Sequence, residues 1–513
     1  MERMRKFLKF LSQRIVIVTF LIFLQIMWFV GMFLKVTSYS QYITAAFKIL
    51  SILVVIYIMN RSDNPSVKLG WIVVILLFPL FGGLLYLTIG GKQPISYLRR
   101  KLEPMIEESA RHLKADPEIE QELKEKDGST ASQIYYLEHQ SGFPAYKDSK
   151  VDYYPSGEDC FKVMAEELRK AKEYIYLEYF IIEEGIMWNT ILDILEEKVK
   201  EGVDVRVMYD DVGCIFNLPS HYADFLRKKG IKCIVFNRYI PIFSTVFNNR
   251  DHRKILVIDG DVAFTGGINF ADEYINEKMR FGHWKDTGFM LRGEAVAGFT
   301  AMFLEMWNVN DEHIEDCGEY IQASKKYSVS TDGFVIPFGD TPLDEVYVGK
   351  RAYINNLNNA SEYAYIMTPY LVIDDEMYEC MKYAAQRGVD VKIIMPHIPD
   401  KKYAFYLART YYKELLKAGI EIYEYTPGFV HAKMSISDGK KAIVGTVNHD
   451  YRSLYLHYEC AAYMLNVPAV MDIERDFKDT LELSQKITLE DVKHFNIFTK
   501  LLGHIIRLVA PLL

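Results

Sequence analysis

The run Asp251–Asn269, DHRKILVIDGDVAFTGGIN, decides how this chain is read. His252 and Lys254 stand two residues apart, four apolar residues follow, and Asp259 opens an Asp-Gly turn. A second run, His431–Asn448, HAKMSISDGKKAIVGTVN, repeats the arrangement with His431, Lys433 and Asp438. Residues i and i+2 share one face of an extended chain, so each histidine lies beside its lysine. Asp259 and Asp438 complete the candidate catalytic set. Their odd offsets point them to the other face, where support of the turn and strand is their expected work. Each Asp-Gly is a hairpin signal, leading to a second strand that ends in Gly266-Gly267-x-Asn269 or Gly445-Thr446-x-Asn448. One copy alone would read as a surface histidine beside a solvated lysine. Two copies with the same hairpin and the same ending make a paired site the better reading.

Outward from the hairpins the chain carries an internal repeat. Helix Cys160–Ala171, strand Tyr174–Phe180 and the strand GVDVRVM at 202–208 precede the first hairpin. Helix Tyr347–Leu357, strand Tyr363–Met367 and GVDVKIIM at 388–395 answer them before the second. Strands alternating with helices predict an α/β fold of two pseudo-symmetric repeats. Each should be a mixed, largely parallel sheet covered on both sides. Facing one another, the repeats would bring both His/Lys pairs into one cleft.

The remaining chain suggests membrane attachment. Arg3, Arg5, Lys6, Lys9 and Arg14 precede the uncharged run Ile15–Leu34, and two further apolar runs follow at Tyr42–Met59 and Gly70–Ile89. The last contains Pro79, Gly82 and Gly83, which predict a kinked or re-entrant segment. The expected layout is 1–91 hydrophobic membrane segments, 92–133 a charged helical linker, 134–325 the first repeat and 326–513 the second repeat with an amphipathic tail. Basic residues after the third run (Lys92, Arg99, Arg100, Lys101) favour a catalytic domain on the cytoplasmic side of a multi-pass membrane protein. Net charge is −8 over 513 residues, which argues against a nucleic-acid partner. The six scattered cysteines form no CxxC pair and suggest neither a disulfide framework nor a zinc site. Oligomeric state is not legible. An aromatic and aliphatic insertion, Arg238–Asn249, precedes the first hairpin and suits either acyl-chain contact or an ordinary packed loop.

Two histidines, two lysines and two asparagines on opposing faces suit attack on a phosphodiester. Lys254 and Lys433 would neutralise the phosphoryl oxygens, with Asn269 and Asn448 donating hydrogen bonds. One histidine attacks phosphorus; the other protonates the departing alkoxide and then deprotonates the incoming alcohol. No metal or other cofactor is then required. A carboxylate on Nδ1 would fix each imidazole. Asp286, after the first hairpin, and Glu459, after the second, are the candidates, each expected to serve the histidine of its own repeat.

The doubled HxKxxxxD pattern resembles the phospholipase D superfamily. Asn64-Pro65, Leu69-Gly-Trp71, Gly282–Thr287, Phe338–Pro342, Thr368-Pro-Tyr370, Asp450–Ser453 and the tail Arg507–Leu513 narrow the likeness to bacterial cardiolipin synthases of that type. It departs at Gly267 and Thr446, where serine is common, and in the extra run Ile15–Leu34. The resemblance implies transfer of a phosphatidyl group from one phosphatidylglycerol to another, giving cardiolipin and glycerol, and points to His252 as the attacking residue. A phospholipase D hydrolase, another phosphatidyltransferase such as a phosphatidylserine synthase, and a membrane-bound nuclease remain the alternatives.

Overall fold

The computed structural model describes residues 23–24, 26–28, 30–31, 40–61, 64–78, 82–83, 85–90, 95–126, 128–238, 249–311, 314–324, 327, 329–344 and 346–512. The basic N-terminal cluster, most of the run Ile15–Leu34, Pro79, Lys92 and most of the insertion Arg238–Asn249 lie outside these residues.

The first repeat is built on β1 (Ser149–Tyr154), β2 (Tyr174–Tyr179), β3 (Asp204–Asp210), β4 (Lys232–Phe236), β5 (Lys254–Ile258) and β6 (Val262–Gly266). After the short β7 (His283–Lys285) comes β8 (Gly288–Gly293), and the seven-stranded sheet runs β1-β8-β6-β5-β2-β3-β4. The second repeat has β9 (Phe334–Asp340), β10 (Tyr363–Met367), β11 (Leu371–Val372), β12 (Asp390–Pro396), β13 (Glu421–Tyr425) and β14 (Gly428–Val430). It continues with β15 (Met434–Ser437), β16 (Lys441–Gly445), β17 (His449–Asp450), β18 (Glu459–Leu465) and β19 (Ser484–Ile487). Its eight-stranded sheet runs β19-β13-β12-β10-β15-β16-β18-β9, the order of the first with β19 added at one edge.

Both sheets are mixed, but neither is largely parallel as the helix–strand alternation suggested. Only β2, β3 and β4, and their counterparts β10, β12 and β13, run parallel. The Asp-Gly hairpins turn the chain back, so the strands beyond them pair antiparallel. Asp259 and Gly260 have φ of 52° and 67°, and Asp438 and Gly439 of 53° and 62°. The left-handed backbone of these turns is what the Asp-Gly sequence supplies.

The helix Val296–Asn310 is buried along its length and packs on strands of the first sheet and on β9 of the second. Within the charged stretch 92–133 lie the helices Ile95–Ala110 and Pro117–Lys126. Ser109, at the end of the helix Ile95–Ala110, donates to the buried Glu305 carboxylate.

By its contacts the chain divides into two units, 1–97 with 239–248 and 504–513, and 98–238 with 249–503. Both sheets belong to the second. In the first, the helices Ser40–Met59 and Pro65–Leu77 meet around Val54, Ile58, Trp71, Ile75 and Tyr86. Among the described residues no helix is long and apolar enough to cross a membrane. The third apolar run is broken: its helix ends at Leu77, and a π-helical turn occupies Tyr86–Gly90.

Candidate active site

His252 lies in the extended lead-in to β5, and His431 just after β14, with Lys433 two residues on. Both imidazoles are buried, and each presents Nδ1 to a carboxylate. His431 Nδ1 is 2.7 Å from Asp286 Oδ2, while His252 Nδ1 sits between both oxygens of Glu459 at 2.9 and 3.0 Å. The partners are therefore exchanged relative to the sequence expectation: each carboxylate serves the histidine of the other repeat.

Backbone pairing between the repeats causes the exchange. β7 pairs in parallel with β14, and His431 N donates to Lys285 O at 2.7 Å, placing Asp286 against His431. Lys285 itself is held by the Asp476 carboxylate at 2.8 Å. On the other side Asp251 bridges Tyr458 in parallel, and His252 N donates to Tyr458 O at 2.9 Å, placing Glu459 against His252. The local sequence around either hairpin contains no trace of this crossing.

The surroundings of the two pairs differ. Glu459 also accepts from the Thr446 hydroxyl and, at 2.6 Å, from the Ser453 hydroxyl. Asp286 instead accepts from the backbone N–H of Thr287 at 2.8 Å and from the Trp284 indole N–H at 3.5 Å. The Trp284 ring lies 5.3 Å from that of His431, with Tyr274 at 5.4 Å. His252 has Phe180 at 5.0 Å and His457 at 5.4 Å. His457 and Trp284 each precede their carboxylate by two residues, so they occupy equivalent places.

Electrostatics follow from burial and from four charges brought together. Burial, then Lys254 and the Lys433 ammonium of the other half, hold His252 well below its ordinary value. Burial and Lys433 bring His431 down to about 4 against the pull of Asp286. Burial likewise lowers Lys254 to about 8 and Lys433 to about 7, with the two carboxylates opposing. Burial pushes Asp286 upward, but His431 and Lys433 outweigh it and keep its acid form disfavoured. Each lysine Nζ donates to the carbonyl of its own histidine, Lys254 to His252 O at 2.6 Å and Lys433 to His431 O.

Asp259 and Asp438, counted above with the catalytic residues, take no place beside the imidazoles. The Asp259 carboxylate accepts from the backbone N–H groups of Lys172, Glu173 and Tyr174 at 2.8–2.9 Å. Asp438 takes those of Ser361, Glu362 and Tyr363 at 2.8–3.0 Å. Both pin the start of the neighbouring central strand, which is the supporting role that their offset suggested. The asparagines part company too. Asn269 accepts from Ile181 N at 3.0 Å and donates to the Tyr274 hydroxyl at 2.6 Å, whereas Asn448 is buried with an unpartnered Oδ1.

Among the described residues two groups have ligand atoms close enough to share a metal ion. These are His252, His457 and Glu459, within 4.8 Å of one another, and Glu108, His112 and Asp316. In the first, both Glu459 oxygens already accept from His252, Thr446 and Ser453, so an ion would displace the bonds that orient the imidazole.

A family model described as cardiolipin synthase, PLD-like domain, matches residues 164–307 and 353–481, and one described as phospholipase D-nuclease N-terminal matches 49–91. The chain belongs to the phospholipase D-like cardiolipin synthase family. It is 33% identical to a cardiolipin synthase of Alkalihalophilus pseudofirmus over 90% of this chain and 91% of that one. It is 50% identical to an uncharacterized protein of Streptococcus mutans over 90% of this chain and 99% of that one. A crystal structure of phosphatidylserine synthase from Haemophilus influenzae aligns with a TM-score of 0.55 and 14% identity, over 71% of this chain and 95% of that one. That likeness is one of fold.

Sequence reasoning gave no role to Thr446, Ser453 or His457. Thr446 stands where the family commonly has serine, and its hydroxyl keeps the bond to Glu459 that a serine there would make. At the matching position a Cβ on Gly267 would lie 2.0 Å from Asp286 Oδ1, so no hydroxyl-bearing side chain fits.

Proposed function

We propose that this chain is a cardiolipin synthase, transferring a phosphatidyl group from one phosphatidylglycerol to the glycerol hydroxyl of a second and releasing glycerol. The observation that carries the reading is the crossed pair of histidine–carboxylate contacts, which makes one site from two halves of the chain. A site of two imidazoles and two ammonium groups matches a phosphodiester anion held between two proton-transfer groups.

His252 donates Nδ1–H to Glu459, leaving the Nε2 lone pair free to attack phosphorus. Its strong depression keeps it neutral, as a nucleophile requires. The bond from phosphorus to the glycerol oxygen breaks as Nε2 bonds to phosphorus, and His431 Nε2–H gives its proton to the departing alkoxide. His431 then takes the proton of the incoming hydroxyl, whose oxygen displaces His252 and restores both imidazoles. In the empty site the lysines depress His431. A bound phosphodiester anion offsets their charge and lets His431 carry the proton it delivers. Lys254, Lys433, the Asn448 amide and the remaining amide hydrogen of Asn269 serve the phosphoryl oxygens; Asp259 and Asp438 act on the scaffold. One phosphodiester replaces another, so no nucleotide is consumed.

The reading includes the four-part layout 1–91, 92–133, 134–325 and 326–513. It also places the protein at the cell membrane as a multi-pass chain, with the catalytic domain on the cytoplasmic side and with phosphatidylglycerol and cardiolipin, not nucleic acid, as partners. The three N-terminal apolar runs and the matched N-terminal family region support it. Purified protein incubated with labelled phosphatidylglycerol should yield cardiolipin and glycerol. Phosphatidic acid as the main product would make it a hydrolase, and inertness to lipid with cleavage of DNA would make it a nuclease.

A further inference from the structure

The helix Ile497–Val509 is oriented the opposite way from a helix that stabilises a globule. Ile497, Phe498, Leu501, Leu502, Ile505 and Leu508 are all exposed, from 45% at Leu502 to 78% at Phe498. At 3.6 residues per turn they cover roughly 140° of one side. The opposite side carries Gly503, the one fully buried position of the helix. A Cβ there would lie 2.4 Å from the Tyr406 carbonyl and 2.9 Å from Thr410, so the helix rests on Lys402–Lys417 through its glycine. Close backbone approach fixes it in place while its apolar side faces outward.

Charge says what that side meets. No acidic residue occurs from Val492 to Leu513, although the whole chain carries −8. Lys500 and Arg507 lie two turns apart, flanking the apolar arc on the side toward Gly503, and Lys493 precedes the helix. An apolar side bordered by cations, on a helix whose back is docked, has the pattern of a segment lying in the headgroup–acyl boundary of an anionic bilayer. A water-soluble protein partner would bring carboxylates to meet the cations but has no need of six contiguous large apolar side chains.

We propose that the helix Ile497–Val509 is an interfacial lipid-binding element that sits flat in an anionic membrane surface, held there by the second repeat. The choice of partner rests on the lipid-transferase reading, but the first test does not read activity. The six native cysteines are all buried, so single cysteines introduced as Leu501→Cys or Ile505→Cys can carry an environment-sensitive dye. A dye at Asp479→Cys, on the exposed side of the helix Ala469–Glu482, is the control. With the full chain in phosphatidylglycerol-containing vesicles, dyes at 501 and 505 should be quenched several-fold by nitroxide-labelled lipid and shielded from aqueous iodide, with the reverse at 479. Iodide quenching at 501 and 505 would show a solvated face. Shielding from both quenchers would show a protein surface over it, such as a second copy of the chain; either overturns the proposal. Should the protein prove not to be a transferase, the quenching result still stands. As a second variant, Leu501→Glu with Ile505→Glu should lower transfer on vesicles roughly tenfold, about 1.4 kcal/mol. Transfer between short-chain, micellar phosphatidylglycerols should remain unchanged, and equal losses on both substrates would overturn the proposal.

Discussion

On one side of the site His431 meets Asp286 through a single contact, walled by Trp284 and Tyr274, and that carboxylate also accepts from the Thr287 backbone N–H and, at 3.5 Å, from the Trp284 indole N–H. On the other, His252 shares Glu459 with two hydroxyl donors, and a third imidazole, His457, stands where the tryptophan would be. The strand order behind the two sides is the same, so the difference lies in the few side chains that reach each carboxylate. A carboxylate already accepting from Thr446 and Ser453 has less charge to lend to an imidazolium. The duplicated motif thereby supplies two unlike surroundings for its histidines, as the proposed double displacement requires, since there one must begin neutral and the other must carry a proton.

The largest expected effect tests whether both sides are required. His252→Ala and His431→Ala should each lower transfer by at least about 10³-fold with the domain still folded by circular dichroism. Substantial residual turnover in either would mean that the labour is not divided.

Next comes the crossing. Glu459→Gln and Asp286→Asn should each cost about 10²–10³-fold by losing the orienting carboxylate. In double-mutant cycles Glu459→Gln should couple to His252 and Asp286→Asn to His431. Coupling within repeats would contradict the contacts described here.

The pH dependence of kcat/KM reports the free site. Lysine must be charged to hold the anion, so activity should fall as pH rises through about 7 to 8, where Lys433 and Lys254 lose their protons. His252 must be neutral to attack and is held well below its ordinary value, so the acid limb belongs to it and should lie well below the usual histidine range. A profile with its alkaline limb near 10 would show that the lysines are not held down.

A smaller change sharpens the asymmetry. Thr446→Val with Ser453→Ala removes two donors from Glu459 and should cost roughly tenfold, about 1.5 kcal/mol. It should raise the His252 pKa, read by NMR, without moving that of His431; equal movement of both would remove the asymmetry as an explanation.

The smallest effect on rate should come from the turn aspartates. Asp259→Ala or Asp438→Ala strands three backbone N–H groups and should cost about 1–3 kcal/mol of stability, read by denaturant unfolding. The kcat of the folded fraction should change less than tenfold.

The hairpins, the repeat and the six motif residues were legible because each rests on local rules: alternation along a strand, an Asp-Gly turn, a phrase heard twice. The offset of Asp259 and Asp438 even separated scaffold from site. The crossed carboxylates were not legible, because the pairings of β7 with β14 and of Asp251 with Tyr458 join segments well over a hundred residues apart. The antiparallel half of each sheet was underestimated because helix–strand alternation was extended past the hairpins that end it. Asn269 and Asn448 occupy equal places in sequence, and the Ile181 N–H and Tyr274 hydroxyl that hold the first set them apart.

The most direct test is to trap the covalent enzyme. A phosphatidyl p-nitrophenyl ester labelled in its phosphate, whose leaving group needs no proton from His431, added to His431→Asn and quenched in alkali, should leave the phosphate on His252, in the peptide around Asp251–Arg253. The His252→Asn variant should carry none. Label on neither variant, or with equal yield on His431 when His252 is replaced, would contradict a single site in which His252 attacks and His431 moves the proton.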